Sequence, residues 1–330
     1  MKVLVLGGAG YIGSHTVYAL IEAGEEVVII DNLLTGYEAA VHPSASFYKG
    51  DIRDRAFLDS VFKKEGNIDA VIHFAASSLV GESMTDPLKY YENNLYGTMV
   101  LLGALVAHRI DKVVFSSTAA TYGEPENLPI LEGDRTLPTN TYGETKLSME
   151  KMFHWVGKAH GLRYVSLRYF NACGAHESGV IGEAHNPESH LIPLILQVPN
   201  GQREHISIFG DNYSTKDGTC VRDYIHVTDL AQAHILAVKY LLRGKESDVF
   251  NLGNGIGFTV KEVIETARKV TNDPIKAVVE PRRAGDPAFL IASSEKAQQT
   301  LGWRPQYADL ETIITSAWKW HSSHPNGYDK

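Results

Sequence analysis

The stretch Val3-Leu4-Val5-Leu6-Gly7-Gly8-Ala9-Gly10-Tyr11-Ile12-Gly13 decides the fold. Four apolar residues in a row predict a strand covered on both faces, as in a parallel sheet between helical layers. The glycines that follow predict a tight turn into a helix. There the backbone can approach a pyrophosphate with no Cβ in the way, and the helix N-terminus offers free N–H groups. Such a turn is weak alone, and its context strengthens it. The next strand ends at Asp31-Asn32, about 20 residues on, where a carboxylate can accept from both hydroxyls of an adenosine ribose. Asp31 would repel a 2′-phosphate, which favours NAD.

Outward from this unit, Lys2–Leu6, Glu26–Ile30, Ala70–Phe74, Lys112–Phe115 and Arg163–Tyr169 predict strands, with helical periodicity between them. The pattern predicts an α/β chain with a Rossmann-type, doubly wound parallel sheet and a ligand face at the strands' carboxyl ends. The texture changes at Gly174–Pro187, which is rich in Gly, His, Asn and Pro. We therefore expect an NAD-binding domain over 1–173 and a smaller C-terminal substrate-binding domain over most of 174–330, with some later elements returning to the first. Helical pattern recurs around Val260–Val270 and Asp309–Trp320.

Further cofactor contacts are expected from Gly7, Gly10, Tyr11, Ile12 and Gly13 in the turn. Asp51 and Ile52 follow the third strand, where an acid can meet the adenine amino group. Phe74, Ala75 and Ala76 close the fourth strand beside the cofactor, and Asn93 and Phe170 complete the set.

The chemistry is carried by Tyr142-Gly-Glu-Thr-Lys146. Residues four apart share a helix face, so phenol and ammonium can address one cofactor. A lysine cation, helped by the positive nicotinamide, would lower the tyrosine pKa toward that of a general base. Ahead of it, Phe115-Ser116-Ser117-Thr118-Ala119-Ala120-Thr121-Tyr122-Gly123 sets hydroxyls at a strand end, where Thr118 can bond a substrate hydroxyl as it loses its proton.

With these motifs in this order, the chain resembles the extended short-chain dehydrogenase/reductases. Tyr169-Phe170-Asn171, His190-Leu191-Ile192-Pro193, Ile208-Phe209-Gly210, Val221-Arg222-Asp223-Tyr224-Ile225-His226, Phe250-Asn251-Leu252-Gly253 and Arg282-Arg283-Ala-Gly-Asp286 extend the likeness over essentially the whole chain, to the UDP-glucose 4-epimerase branch. The resemblance implies that Tyr142 takes the proton of the sugar 4-hydroxyl while C4 passes hydride to bound NAD. The 4-keto sugar then turns over and takes the hydride back on its other face. It implies that Thr118 relays the proton and that Lys146 holds the nicotinamide ribose. Arg222 and Arg283 would pair with the diphosphate and Asp286 with the uridine ribose; Asn171, Leu191, Ile208 and Phe209 would line the nucleotide pocket. A homodimer is implied as well.

Three positions depart from the best-known members. Thr118 stands in place of a serine and keeps the hydroxyl. His190 replaces an asparagine that contacts substrate. Leu290 replaces a tyrosine that narrows the sugar pocket, which predicts room for a 2-acetamido group. Two rivals remain. A nucleotide-sugar 4,6-dehydratase would need the Asp-Glu pair that such enzymes carry after the Ser/Thr, and Ala119-Ala120 occupy those places. A non-catalytic NAD sensor would not need Tyr142, Lys146 and a hydroxyl residue together.

The 330 residues carry a net charge of -8, spread along the chain, which argues against nucleic acid as a partner. Two cysteines, Cys173 and Cys220, are too few for a disulfide framework and fit a reducing compartment. No signal peptide or membrane-length apolar run is visible, so a cytoplasmic protein without membrane association is expected. The fourteen histidines show no HExxH or Cys/His ligand spacing, so no metal is expected.

Overall fold

The computed structural model describes residues 1–283 and 286–328. Seven strands, β1 (Lys2–Leu6), β2 (Glu26–Asp31), β3 (Ser46–Lys49), β4 (Ala70–His73), β5 (Lys112–Ser116), β6 (Arg163–Tyr169) and β7 (Asp248–Leu252), form one sheet. Its order is β7-β6-β5-β4-β1-β2-β3, and every pairing is parallel. Chain order reverses between β1 and β4, and the crevice that such a reversal opens lies at their carboxyl ends. β7 comes from the second half of the chain, so a late element does return to the first sheet.

Side-chain alternation along β1 and β2 sorts the core into two layers. Val3, Val5, Val27 and Ile29 pack with Val17 and Leu20 of α1 (Tyr11–Glu22). Leu4, Leu6, Val28 and Ile30 pack on the other face with Leu58 and Phe62 of α2 (Arg55–Glu65), Leu101 and Leu105 of α3 (Gly97–Ala107), and Met149 and Phe153 of α4 (Thr141–His160). Leu230, Val238 and Leu241 of α5 (Val227–Leu242) complete the first layer. A strand sandwiched in this way needs apolar residues at every position, and Val3 to Leu6 are fully buried. Each such side chain stabilises the fold by about 1.5–3 kcal/mol.

A third core gathers Ile192, Ile195, Ile208, Val263, Ile264 and Ile313 around the helices Leu191–Leu196, Val260–Thr271 and Leu310–Ser323. Two local differences from the sequence reading have clear causes. β4 stops at His73 because the N–H groups of Phe74 and Ala75 both turn to the Leu6 carbonyl. Ahead of α3 the helix widens into a π-helical turn, Tyr91–Tyr96, which apolar periodicity does not reveal.

Candidate active site

Gly7 takes φ +80°, and a Cβ there would lie 2.7 Å from the Ala75 nitrogen. A Cβ on Gly13 would lie 2.0 Å from the Gly7 carbonyl oxygen. Both glycines are thus required by packing. Gly10 differs: it is the N-cap of α1, and the nearest atom to a Cβ there would be the Gly7 oxygen at 3.4 Å. The first turn of α1 carries no acidic residue, so its N-terminus is electrostatically open to a diphosphate. Asp31 closes the cradle at 8 % exposure. One of its oxygens accepts from Ala9 N at 2.9 Å and the other from Leu33 N at 2.8 Å, leaving lone pairs on both for ribose hydroxyls. Burial raises its pKa against those two bonds. This turn and carboxylate fit a dinucleotide such as NAD.

Other expected cofactor residues are more committed to the protein than their sequence context suggested. The Tyr11 hydroxyl donates to the Gly174 carbonyl at 2.6 Å, and Ile12 packs on the first core layer. Asp51 is not a free acid: Arg53 grips both its oxygens at 2.9 and 2.7 Å and Asn32 donates to it at 3.0 Å, so it is lowered to about 2. Ile52 is buried beneath Gly97. Phe74 turns its ring to His234 at 4.6 Å, and Ala75 lies against Gly7. Half-buried Ala76 continues that loop. Asn93 donates to Ser77 Oγ and to its neighbour Asn94. Asn94, which the sequence did not single out, is the buried one of the pair. From the π-helical turn it donates to Ser77 O and Thr145 Oγ1, tying the β4 loop to α4. Phe170 packs on Ala119, Tyr122, Ile130 and Ala292.

α4 starts at an Asn140 cap, whose side chain accepts from Gly143 N. It lies close against the Thr118 turn because Gly143 has no side chain; a Cβ there would meet the Ala120 oxygen at 2.6 Å. Tyr142, Lys146 and Glu150 follow one another along one helix face. Lys146 Nζ donates to the Ser116 carbonyl at 2.9 Å and stands 5.9 Å from the centre of the Tyr142 ring. Burial lowers Lys146 to about 7, with Glu150 opposing. Burial pushes Tyr142 up to about 12, with only the Thr118 hydroxyl pulling it down. The chain's own groups therefore do not lower the phenol as the Tyr/Lys spacing led us to expect, because desolvation outweighs them.

Of the residues expected to hold the sugar nucleotide, Arg222 and Asp286 hold each other, Nη2 to Oδ1 at 2.5 Å, and Arg222 also donates to the Val221 and Pro287 carbonyls. Arg283 stacks 3.8 Å above the Phe209 ring. Arg283 and Asp286 line a cleft with Glu124, Leu128 and Phe289, and Arg222 adjoins it through its bond to Asp286. Asn171 donates to the Asp223 carbonyl at 2.9 Å. Ile208 and Leu191 belong to the third core. Leu290 is half-buried on the short strand Phe289–Leu290, paired with Val221–Arg222. His190, expected on the substrate side, has its Nδ1 bonded to Glu183.

Comparison with known proteins agrees with this geometry. The profile of the NAD dependent epimerase/dehydratase family matches residues 3–253. The UDP-glucose 4-epimerase of Halalkalibacterium halodurans is 61% identical over 328 residues, 99% of this chain and 98% of that protein. A crystal structure of a UDP-glucose 4-epimerase superposes with a TM-score of 0.98 at 58% identity, covering 100% of both chains. The Bifidobacterium longum UDP-glucose 4-epimerase, in complex with NAD+ and UDP, superposes at 0.93 with 41% identity over 99% of this chain and 100% of that one. With a family profile over residues 3–253 and a relative 61% identical over nearly its full length, the chain belongs to the NAD-dependent epimerase/dehydratase family.

Proposed function

We propose that this chain interconverts UDP-glucose and UDP-galactose. The observation that carries the reading is the Tyr142–Lys146 face of α4 set against the Thr118 turn, with alanines at 119 and 120 where a dehydratase would need an acid and a base. NAD, when bound, accepts a hydride from C4 of the sugar and returns it to the opposite face. Tyr142 accepts the proton of the 4-hydroxyl and gives it back, and Thr118 hands that proton between sugar and phenol. Lys146 holds the nicotinamide ribose and, with the positive nicotinamide ring, offsets the desolvation that keeps the phenol high. Asp31 takes the adenosine ribose and the N-terminus of α1 the diphosphate. Arg222 and Arg283 bind the substrate diphosphate, Asp286 the uridine ribose, and Phe209 and Leu191 border the base. In this reading 1–173 is mainly the NAD domain and 174–330 mainly the sugar-nucleotide domain, in a cytoplasmic homodimer.

Because oxidation and re-reduction cancel, NAD stays on the protein through turnover. Purified protein incubated with UDP-galactose and no added NAD should produce UDP-glucose, followed by proton NMR, and Tyr142→Phe should lose about 10²–10⁴-fold in kcat. A 4-keto-6-deoxy product would replace this reading with dehydration. No conversion even with NAD supplied would leave the sensor reading or a different UDP-sugar. The half-buried Leu290 supports a second substrate pair, UDP-N-acetylglucosamine and UDP-N-acetylgalactosamine.

A further inference from the structure

Glu183, His185, Glu188 and His190 lie outside the cofactor turn and the Tyr142 face, in the loop that leads into the helix Leu191–Leu196. The fold brings one ligating atom from each of the four to within 4.8 Å of the others. Glu183 is buried at 3 % exposure, while the His190 side chain is 46 % exposed and leaves the cluster open on one side. Nδ1 of His185 is closed off from solvent and makes no hydrogen bond. It faces a Glu183 oxygen at 3.3 Å and a Glu188 oxygen at 3.5 Å. With a carboxylate oxygen on each side, this ring nitrogen is aimed at the point the three groups share.

Those two separations match the ligand spacing on a metal ion, and His190 Nδ1, bonded directly to the same Glu183 oxygen, moves off it to take the ion. Tetrahedral zinc with bonds of roughly 2.0–2.1 Å sets its ligand atoms about 3.4 Å apart. Two imidazoles with two carboxylates suit a borderline transition ion, whereas magnesium and calcium select all-oxygen sets. Charge balances too: two carboxylates neutralise a divalent ion while both imidazoles stay neutral.

We propose that Glu183, His185, Glu188 and His190 bind one Zn(II) ion per chain as a structural clamp. The clamp fixes a loop held on several sides. The Glu183 carbonyl accepts from Trp320 Nε1 at 3.0 Å, in the helix Leu310–Ser323. The His185 ring lies edge-on to Tyr11 of the cofactor turn at 6.1 Å. Leu191, next to His190, begins the helix Leu191–Leu196, which we assign to the border of the nucleotide pocket. The Glu-x-His-x-x-Glu-x-His spacing lies outside the zinc patterns considered in the sequence, so the expectation of no metal is revised. The site does not depend on the proposed reaction.

The test uses the full-length protein, stripped with a chelator, desalted, and given Zn(II) alone. Elemental analysis after a second desalting should find about one zinc per chain, with a higher thermal unfolding midpoint. Magnesium should produce neither effect. His185→Gln with Glu188→Gln should lose the bound zinc and the midpoint shift. His190→Asn, at the open side of the cluster where folding is least affected, should bind zinc about tenfold or more weakly. If wild type retains no zinc, or if His190→Asn holds it as tightly as wild type, the proposal is overturned.

Discussion

Glu150 grips Arg168 with both of its oxygens, Nε to Oε1 at 2.9 Å and Nη2 to Oε2 at 2.5 Å, and each side chain is 7 % exposed. The pair lies one helical turn beyond Lys146 and is shared with the proton-handling turn, since Ser117 Oγ donates to the same carboxylate. The Arg168 guanidinium lies 4.8 Å from the Tyr122 ring centre, and the Tyr122 hydroxyl donates to Asn251 on β7. α4, β6, β7 and the Thr118 turn are thereby joined beneath the site. Removing one partner of such a buried pair leaves the other charged and unpaired. We expect Glu150→Gln to cost about 3–5 kcal/mol in urea unfolding. Adding Arg168→Met should recover part of that loss, and additive effects in the double variant would refute the coupling.

The two kinds of glycine in the opening turn should separate in experiment. Gly13→Ala places a methyl 2.0 Å from a backbone oxygen, so the helix must shift and the protein should be destabilised by about 1–3 kcal/mol. Gly10→Ala meets nothing closer than 3.4 Å within the chain. Its methyl instead occupies the space beside the helix N-terminus that a pyrophosphate approaches. That variant should keep its unfolding midpoint and retain less NAD on gel filtration, read by absorbance of the released nucleotide. Equal NAD content in Gly10→Ala and wild type would remove the diphosphate from this turn.

Lys146 also predicts a pH dependence. Its folded pKa, about 7, lies below the ordinary 10.5 because burial disfavours the cation. Between those values the unfolded chain holds the extra proton, so raising pH favours the fold. Below about pH 7 the cost of the buried charge is fully present, and it fades as pH rises toward 10.5. The slope for this one group is up to about 1.4 kcal/mol per pH unit. In cofactor-free protein, the urea midpoint of wild type should rise between pH 7 and 9 relative to Lys146→Met. Parallel curves for the two proteins would show that Lys146 is not desolvated.

These residues also show how far the sequence could be read. β1 was legible because Val3 to Leu6 are buried on both faces, which demands an unbroken apolar run, and Gly7 and Asp31 follow at fixed distances along the chain. Tyr142 and Lys146 were legible because helix geometry alone places them together. Glu150 and Arg168 were not, since they meet across a helix and a strand and an acid or arginine in isolation has no spacing to betray it. Asp51 and Arg222 were singled out from local sequence, which could not show that Arg53 and Asp286 would claim them. The Glu183–His190 cluster escaped because a loop, with no fixed periodicity, brings its members together.

Leu290 gives the substrate prediction its sharpest form. The residue lies on a two-residue strand paired with Val221–Arg222, with Leu290 opposite Arg222 itself. Its side chain therefore stands beside a group that we assign to the diphosphate, and it is half-buried rather than packed in a core. We expect a larger ring there to project from this partly exposed position into the space the sugar occupies. If that space admits a 2-acetamido group, wild type should convert both UDP-glucose and UDP-N-acetylglucosamine. Leu290→Tyr should then lower kcat/KM for the N-acetylated sugar by about 10–100-fold, since a steric clash of 1–3 kcal/mol corresponds to that range. The rate on UDP-glucose, which carries only a small hydroxyl at that position, should stay within about threefold. Initial rates by NMR on both sugars supply the ratio. Failure of wild type to convert UDP-N-acetylglucosamine would withdraw the second substrate pair, and an unchanged ratio in Leu290→Tyr would place the gate on another residue.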